Sequence, residues 1–111
     1  MPTTADSYGS MTVLSTEPAL TRAEDEAFRR LAAQQIRAGG RWFVLDLSRT
    51  AYFDSQGLEG LLWFQEQVES AQGAVKVAGL KGIARAIFEI VRFDKKFDLF
   101  ENVHEAVKSF R

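Results

Sequence analysis

The chain is 111 residues long, is 46% hydrophobic, and carries a net charge of −1 from 14 basic and 15 acidic side chains. That size and apolar content suit one packed domain, and the balanced charge gives no basic footprint for nucleic acid. With 0 cysteines, a disulfide framework, a thiolate metal site and a cysteine nucleophile are all excluded.

Residues 1–10 are small and polar and are expected as a flexible leader, with the folded domain over 11–111. Met1-Pro-Thr-Thr-Ala-Asp6 has neither the basic start nor the apolar middle of a secretory signal. No apolar run approaches the ~18 residues needed to cross a bilayer. A cytoplasmic protein without membrane insertion is therefore expected. Met11 to Thr16 is a weak strand candidate closed by Glu17-Pro18. Thr21 and Glu24 have capping-box spacing, with Thr21 at the N-cap. The helix after them places Ala27, Phe28, Leu31, Ala32 and Gln35/Ile36 on one stripe. Gly39-Gly40 stops it, because glycine enters the left-handed conformation that a helix end uses.

Trp42 to Leu47 is an almost unbroken apolar run without helical period, the mark of a buried central strand. Ser48 to Thr50 is a turn, and Ala51 to Phe53 resumes extended structure before Asp54. From Ser55 to Ala71 the pattern is helical, with Leu58, Leu61, Leu62, Phe64, Val68 and Ala71 on a broad apolar face. Gly73 ends it. Val75 to Ala78 is a short strand, and Gly79 to Gly82 a loop. Ile83, Ile87, Ile90 and Val91 mark another helix, and Phe97 to Phe100 alternates as a last strand. Asn102 and Glu105 repeat the cap spacing before a final helix reaching Phe110. The order β-α-β-α-β-α-β-α predicts a single-domain α/β fold. Its sheet is mixed, mostly parallel, of about four strands covered by about four helices.

Few enzymatic chemistries fit. A nucleophile elbow needs glycine two residues before the serine, and Phe53 stands there ahead of Ser55. The only histidine is His104, expected on a solvated face of the last helix. Asp46 and Asp54 both follow apolar strand residues, and read as a strand-end acid and a turn acid rather than a magnesium or calcium pair. Gly79-Leu-Lys-Gly82 lacks the Gly-Lys-Ser/Thr ending of a phosphate loop, and Gly82 is read as a turn. Arg92, Lys95 and Lys96 read as a solvated face, and Trp63 as core.

Ser55 keeps two roles. As a helix cap its oxygen accepts a backbone N–H and contributes about 1 kcal/mol. The same position suits a phosphate, since a helix start offers free N–H donors and partial positive charge, and Gly57 leaves the backbone approachable. A phosphoserine brings roughly −1.5 to −2 charges beside Asp54 and one turn before Glu59. A partner docked on that corner would meet bulk and repulsion.

Phe43-Val-Leu-Asp-Leu-Ser48, then Tyr52-Phe-Asp-Ser-Gln-Gly-Leu58, then the helix ending at Gly73 and the strand Val75 to Ala78, resemble a STAS domain. Ile87 to Phe100 and Val103 to Val107 resemble the family's closing helix, strand and helix, so the likeness runs from about Leu20 to Phe110. Stand-alone domains of this size resemble anti-sigma factor antagonists. The resemblance implies a phosphorylation site at Ser55, written by an anti-sigma factor serine kinase of histidine-kinase-like ATPase fold. It implies binding to that kinase when unphosphorylated, release on phosphorylation, and resetting by a serine phosphatase. Asp54, Gln56, Gly57, Leu58 and Glu59, with Thr21 from the preceding loop, are the expected partner-binding surface. No catalysis, cofactor or metal is implied.

Several positions depart from the family pattern. Gln56 removes a second hydroxyl, and Glu59 adds charge where a small residue is usual. Pro18-Ala-Leu-Thr21 replaces the usual Gly-x-Leu-Asp, and the front is expected to hold one strand where two are common. The family also includes adaptor subunits of lipid-transporting ABC complexes and stressosome-like scaffold components, which stand as alternatives.

Overall fold

A computed structural model of the chain describes residues 3–110. Its elements in chain order are β1 (Thr3–Tyr8), β2 (Met11–Thr16), α1 (Arg22–Arg37), β3 (Trp42–Asp46), α2 (Ser55–Ser70), β4 (Ala74–Ala78) and α3 (Gly82–Ile90). A 3₁₀ turn (Phe93–Lys95), β5 (Asp98–Phe100) and α4 (Val103–Lys108) complete the chain. The five strands lie in the order β1-β2-β3-β4-β5. β1 runs antiparallel to β2, and every later pairing is parallel, through Val13↔Val44, Val44↔Lys76 and Lys76↔Asp98. This is the mixed, mostly parallel α/β sheet expected, with one strand more.

The extra strand corrects the reading of residues 1–10 as a flexible leader. Thr3 to Tyr8 pairs residue for residue with β2, from Thr3↔Thr16 to Tyr8↔Met11. The turn between them is Gly9-Ser10, with Gly9 at φ 66°, the leading glycine that a two-residue hairpin of type II′ favours. Thr3 is buried and Ala5 packs partly on the core. These side chains are too small and polar for their alternation to stand out as a strand. Met1 and Pro2, also in that expected leader, lie outside the described residues.

Helices α1, α2 and α3 close one face of the sheet over a core that includes Leu14, Phe28, Phe43, Leu45, Phe64, Val77 and Phe88. Each fully buried phenylalanine there stabilises the fold by roughly 2 kcal/mol. Helix α4 covers part of the other face, on Val13, Val44 and Ala78 through Ala106. The α1 stripe departs from expectation at two places. Ala27 is exposed, and Asp25 is buried at 7% exposure. Arg92, Lys95, Lys96 and His104 are exposed as expected, and Trp63 is half-buried, with the Arg29 guanidinium 5.1 Å from its ring centre. No helix among the described residues is long and apolar enough to cross a membrane.

One arrangement positions the candidate site. The loop before α1 and the loop before α2 lie side by side. The Ala51 N–H donates to the Pro18 carbonyl at 2.8 Å, and the Leu20 N–H to the Tyr52 carbonyl at 3.1 Å. Leu20 and Phe53 form a parallel bridge, so the extended reading of Ala51 to Phe53 is realised against this loop. The two helices therefore begin in step at one end of the sheet.

Candidate functional site

Phe53 anchors the corner. It is 2% exposed and its ring lies 5.4 Å from that of Phe88, so the backbone after it leaves a fixed point. Asp54 follows in extended conformation and is the N-cap of α2; its Oδ1 accepts the Gly57 N–H at 2.8 Å. Ser55 is therefore the first residue of the helix and does not cap it, which corrects the capping role expected for Ser55. An aspartate caps as well as a serine, and here it also has a second donor. Its Oδ2 accepts the Arg22 N–H at 2.9 Å, so one carboxylate serves the starts of both α1 and α2. These bonds favour the charged form. The Arg22 N–H first, and the Gly57 N–H next, hold the Asp54 carboxyl below its ordinary value of 3.8.

With the cap role taken by Asp54, the Ser55 side chain is exposed and has no hydrogen-bond partner among the described residues. Gln56 turns the other way, and its Nε2 donates to Asp25 Oδ2 at 3.0 Å. Asp25 also receives Arg29 Nε, at 3.1 and 3.0 Å to its two oxygens. Sequence reasoning missed Asp25, although the Asp25–Arg29 spacing is that of a helical ion pair.

Gly57 is buried, and its place in the site is steric. A Cβ there would stand 1.9 Å from the Leu20 carbonyl oxygen, so only glycine lets the two loops meet. That corrects the expectation of an open backbone at this position, because Leu20 covers it. Leu58 is half-buried against the core, its N–H on the Asp54 carbonyl at 3.0 Å, and Glu59 is exposed. Thr21 caps α1 as expected. Its N–H donates to Glu24 Oε1 at 2.8 Å, and its Oγ1 accepts the Ala23 N–H at 3.3 Å.

Seen from solvent, the corner thus presents Ser55 and Glu59, with Tyr52 half exposed at 50% beside them. Asp46 is engaged locally, accepting the Ser48 N–H at 3.1 Å. Among the described residues no group of three His, Asp or Glu side chains is close enough to hold a metal ion.

A family model described as the STAS domain matches residues 3–106. This chain belongs to the STAS domain family. The same STAS domain is 30% identical over 111 residues to BtrV of Bordetella bronchiseptica, a candidate anti-sigma factor antagonist, covering 100% of this chain and 96% of that protein. Several solved structures share its fold, two of them as follows. A candidate anti-sigma factor antagonist from Thermotoga maritima has a TM-score of 0.89 at 14% identity, over 96% of this chain and 92% of that one. The Bacillus cell fate determinant SpoIIAA in its phosphorylated form has a TM-score of 0.76 at 16% identity, over 98% and 99% of the two chains.

Proposed function

We propose that this STAS domain is an anti-sigma factor antagonist that works by partner switching, with Ser55 as its phosphorylation site. The observation that carries the reading is the Ser55 hydroxyl. It is exposed, unbonded among the described residues, and set on a corner that Phe53 and Asp54 hold rigid. A kinase can take it without unmaking a cap. The whole-length similarity to BtrV supports the family role.

In this reading the unphosphorylated domain binds an anti-sigma factor serine kinase through Ser55, Glu59 and the exposed edges of Asp54, Gln56, Leu58 and Thr21. Gly57 contributes by letting α2 start against Leu20. Phosphorylation adds roughly −1.5 to −2 charges next to an ionised Asp54, and the kinase is repelled. A serine phosphatase restores the binding form. The domain is a substrate and a binding module in the cytoplasm, and catalysis belongs to its partners.

The test joins capture and mass. Pull-down from native lysate should bring down an ATP-binding serine kinase, and ATP should then add one phosphate, on Ser55. Ser55→Ala should keep kinase binding and Ser55→Asp should abolish it. Co-purification with a permease, unaffected by Ser55→Asp, would replace this reading with the transporter-adaptor one. A large homogeneous particle in light scattering would replace it with the scaffold one.

A further inference from the structure

We propose that the Arg22 guanidinium is the intramolecular counter-ion of a phosphate on Ser55, clamping the phosphorylated form at the start of α1. The proposal rests on the reading of Ser55 as the phosphorylation site. Three observations lead to it. The first is placement. The Arg22 N–H donates to Asp54 Oδ2 at 2.9 Å, and Asp54 directly precedes Ser55. The paired loops start α1 and α2 in step, so the first residue of α1 and the first residue of α2 stand on either side of the Asp54 carboxylate.

The second is that Arg22 is free. It is exposed and makes no side-chain bond among the described residues. Arg29, Arg30, Arg49 and Arg85, by contrast, each have a carboxylate within 3.4 Å. The third is that its charge opposes its own helix. Arg22 is the first residue of α1, where the helix dipole disfavours a cation and favours acids such as Glu24 and Asp25.

Lys81 lies across a cavity from Arg49, Thr50 and Ala51, whereas Arg22 is the cation whose backbone is bonded to the Asp54 carboxylate beside Ser55. Asp54 and Glu59 of α2 are both negative. On α1, Glu24 is bound by Thr21 and Asp25 by Arg29 and Gln56. On the loops Glu17 and Arg49 face each other at 3.4 Å. The Gly57 N–H already serves Asp54, so the start of α2 does not supply a full set of donors to a phosphate. A planar guanidinium binds two phosphate oxygens at once. Drawn onto the phosphate, Arg22 also withdraws a cation from the surface that the kinase meets. One modification then changes two charges on the docking corner.

The test installs phosphoserine at position 55 by ribosomal incorporation and follows its second ionisation by ³¹P NMR. The midpoint in the otherwise native protein should lie about 0.5 pH unit below that of Arg22→Ala. Arg22→Lys should recover part of the difference, and 1 M salt should shrink it. Equal midpoints in the native protein and in Arg22→Ala overturn the clamp. Should Arg22→Ala fold poorly, Arg22→Gln carries the same comparison. Mass analysis of the native protein tests phosphorylation of Ser55 separately, so the clamp and the switch can fail independently.

Discussion

Asp54 and Arg22, 32 residues apart in the chain, are joined by a hydrogen bond of 2.9 Å from the Arg22 N–H to Asp54 Oδ2. The other oxygen of the same carboxylate takes the Gly57 N–H at 2.8 Å. One side chain thus closes the starts of two helices, and the serine after it is left unbonded.

Asp54→Ala should therefore cost more than an ordinary cap. Loss of an N-cap costs about 1 kcal/mol, and the orphaned Arg22 N–H adds a further fraction. Urea denaturation should show a loss of about 1.5 kcal/mol, with Asp54→Asn recovering only the one of the two bonds that its single amide oxygen can accept. A loss no larger than about 0.5 kcal/mol in the alanine variant would mean that the double cap does not stabilise the fold.

The same pair sets an acid sensitivity. The Arg22 and Gly57 N–H groups lower the Asp54 carboxyl below 3.8 in the folded chain. The unfolded chain therefore takes up this proton first as pH falls. The stabilisation is fully present above about pH 4 and is lost progressively below it, as pH drops through the folded value. Denaturation midpoints at pH 7 and pH 3 should differ less in Asp54→Asn than in the native protein. Parallel losses in the two would show that other carboxylates carry the acid response.

Gly57 and Gly60 should rank in a definite order. A Cβ on Gly57 meets the Leu20 carbonyl oxygen at 1.9 Å, whereas one on Gly60 meets Asp25 Oδ1 at 2.4 Å. Backbone held by the paired loops cannot yield, but a carboxylate can rotate at the expense of its bonds to Arg29 and Gln56. Gly57→Ala should cost about 3 kcal/mol or more, and Gly60→Ala less. Thermal melts of the two variants side by side would expose a reversed order at once.

Gln56 should matter to the fold through Asp25. Gln56→Ala removes a donor from a buried carboxylate at 3.0 Å and should cost about 1–2 kcal/mol. Because Arg29 Nε binds the same carboxylate, the double variant Gln56→Ala/Arg29→Ala should depart from additivity by more than about 0.5 kcal/mol. Simple addition in a double-mutant cycle would make the two contacts independent.

Where signals were local, they were legible. Thr21 with Glu24 and Asn102 with Glu105 marked the starts of α1 and α4, since a cap and its helix are neighbours in the chain. Phe43, Val44 and Leu45 marked the central strand, because both faces of that strand are covered. Where a position answers to a distant residue, the reading went astray. Residue type suggests Ser55 as a cap, but Asp54 takes the Gly57 N–H and a second donor from α1. Asp25 carries no mark in the sequence that singles it out, and it is buried, held by Gln56 from α2. Thr3 to Tyr8 looked like a leader because its side chains are short, and its partner strand is what makes it a strand.

The sequence by itself determined the order of elements from β2 to α4, the α/β class, the caps of α1 and α4, and the motif around Ser55 that marks the STAS family. Those follow from periodicity and from contacts spanning three or four residues. The tertiary structure alone decided which carboxylate caps α2, why residue 57 is glycine, and which hydroxyl stays free. Each of these depends on the loop at Leu20 lying beside the loop at Phe53, more than thirty residues on. Such a meeting is set by the packing of two helices on one sheet, and no local pattern encodes it.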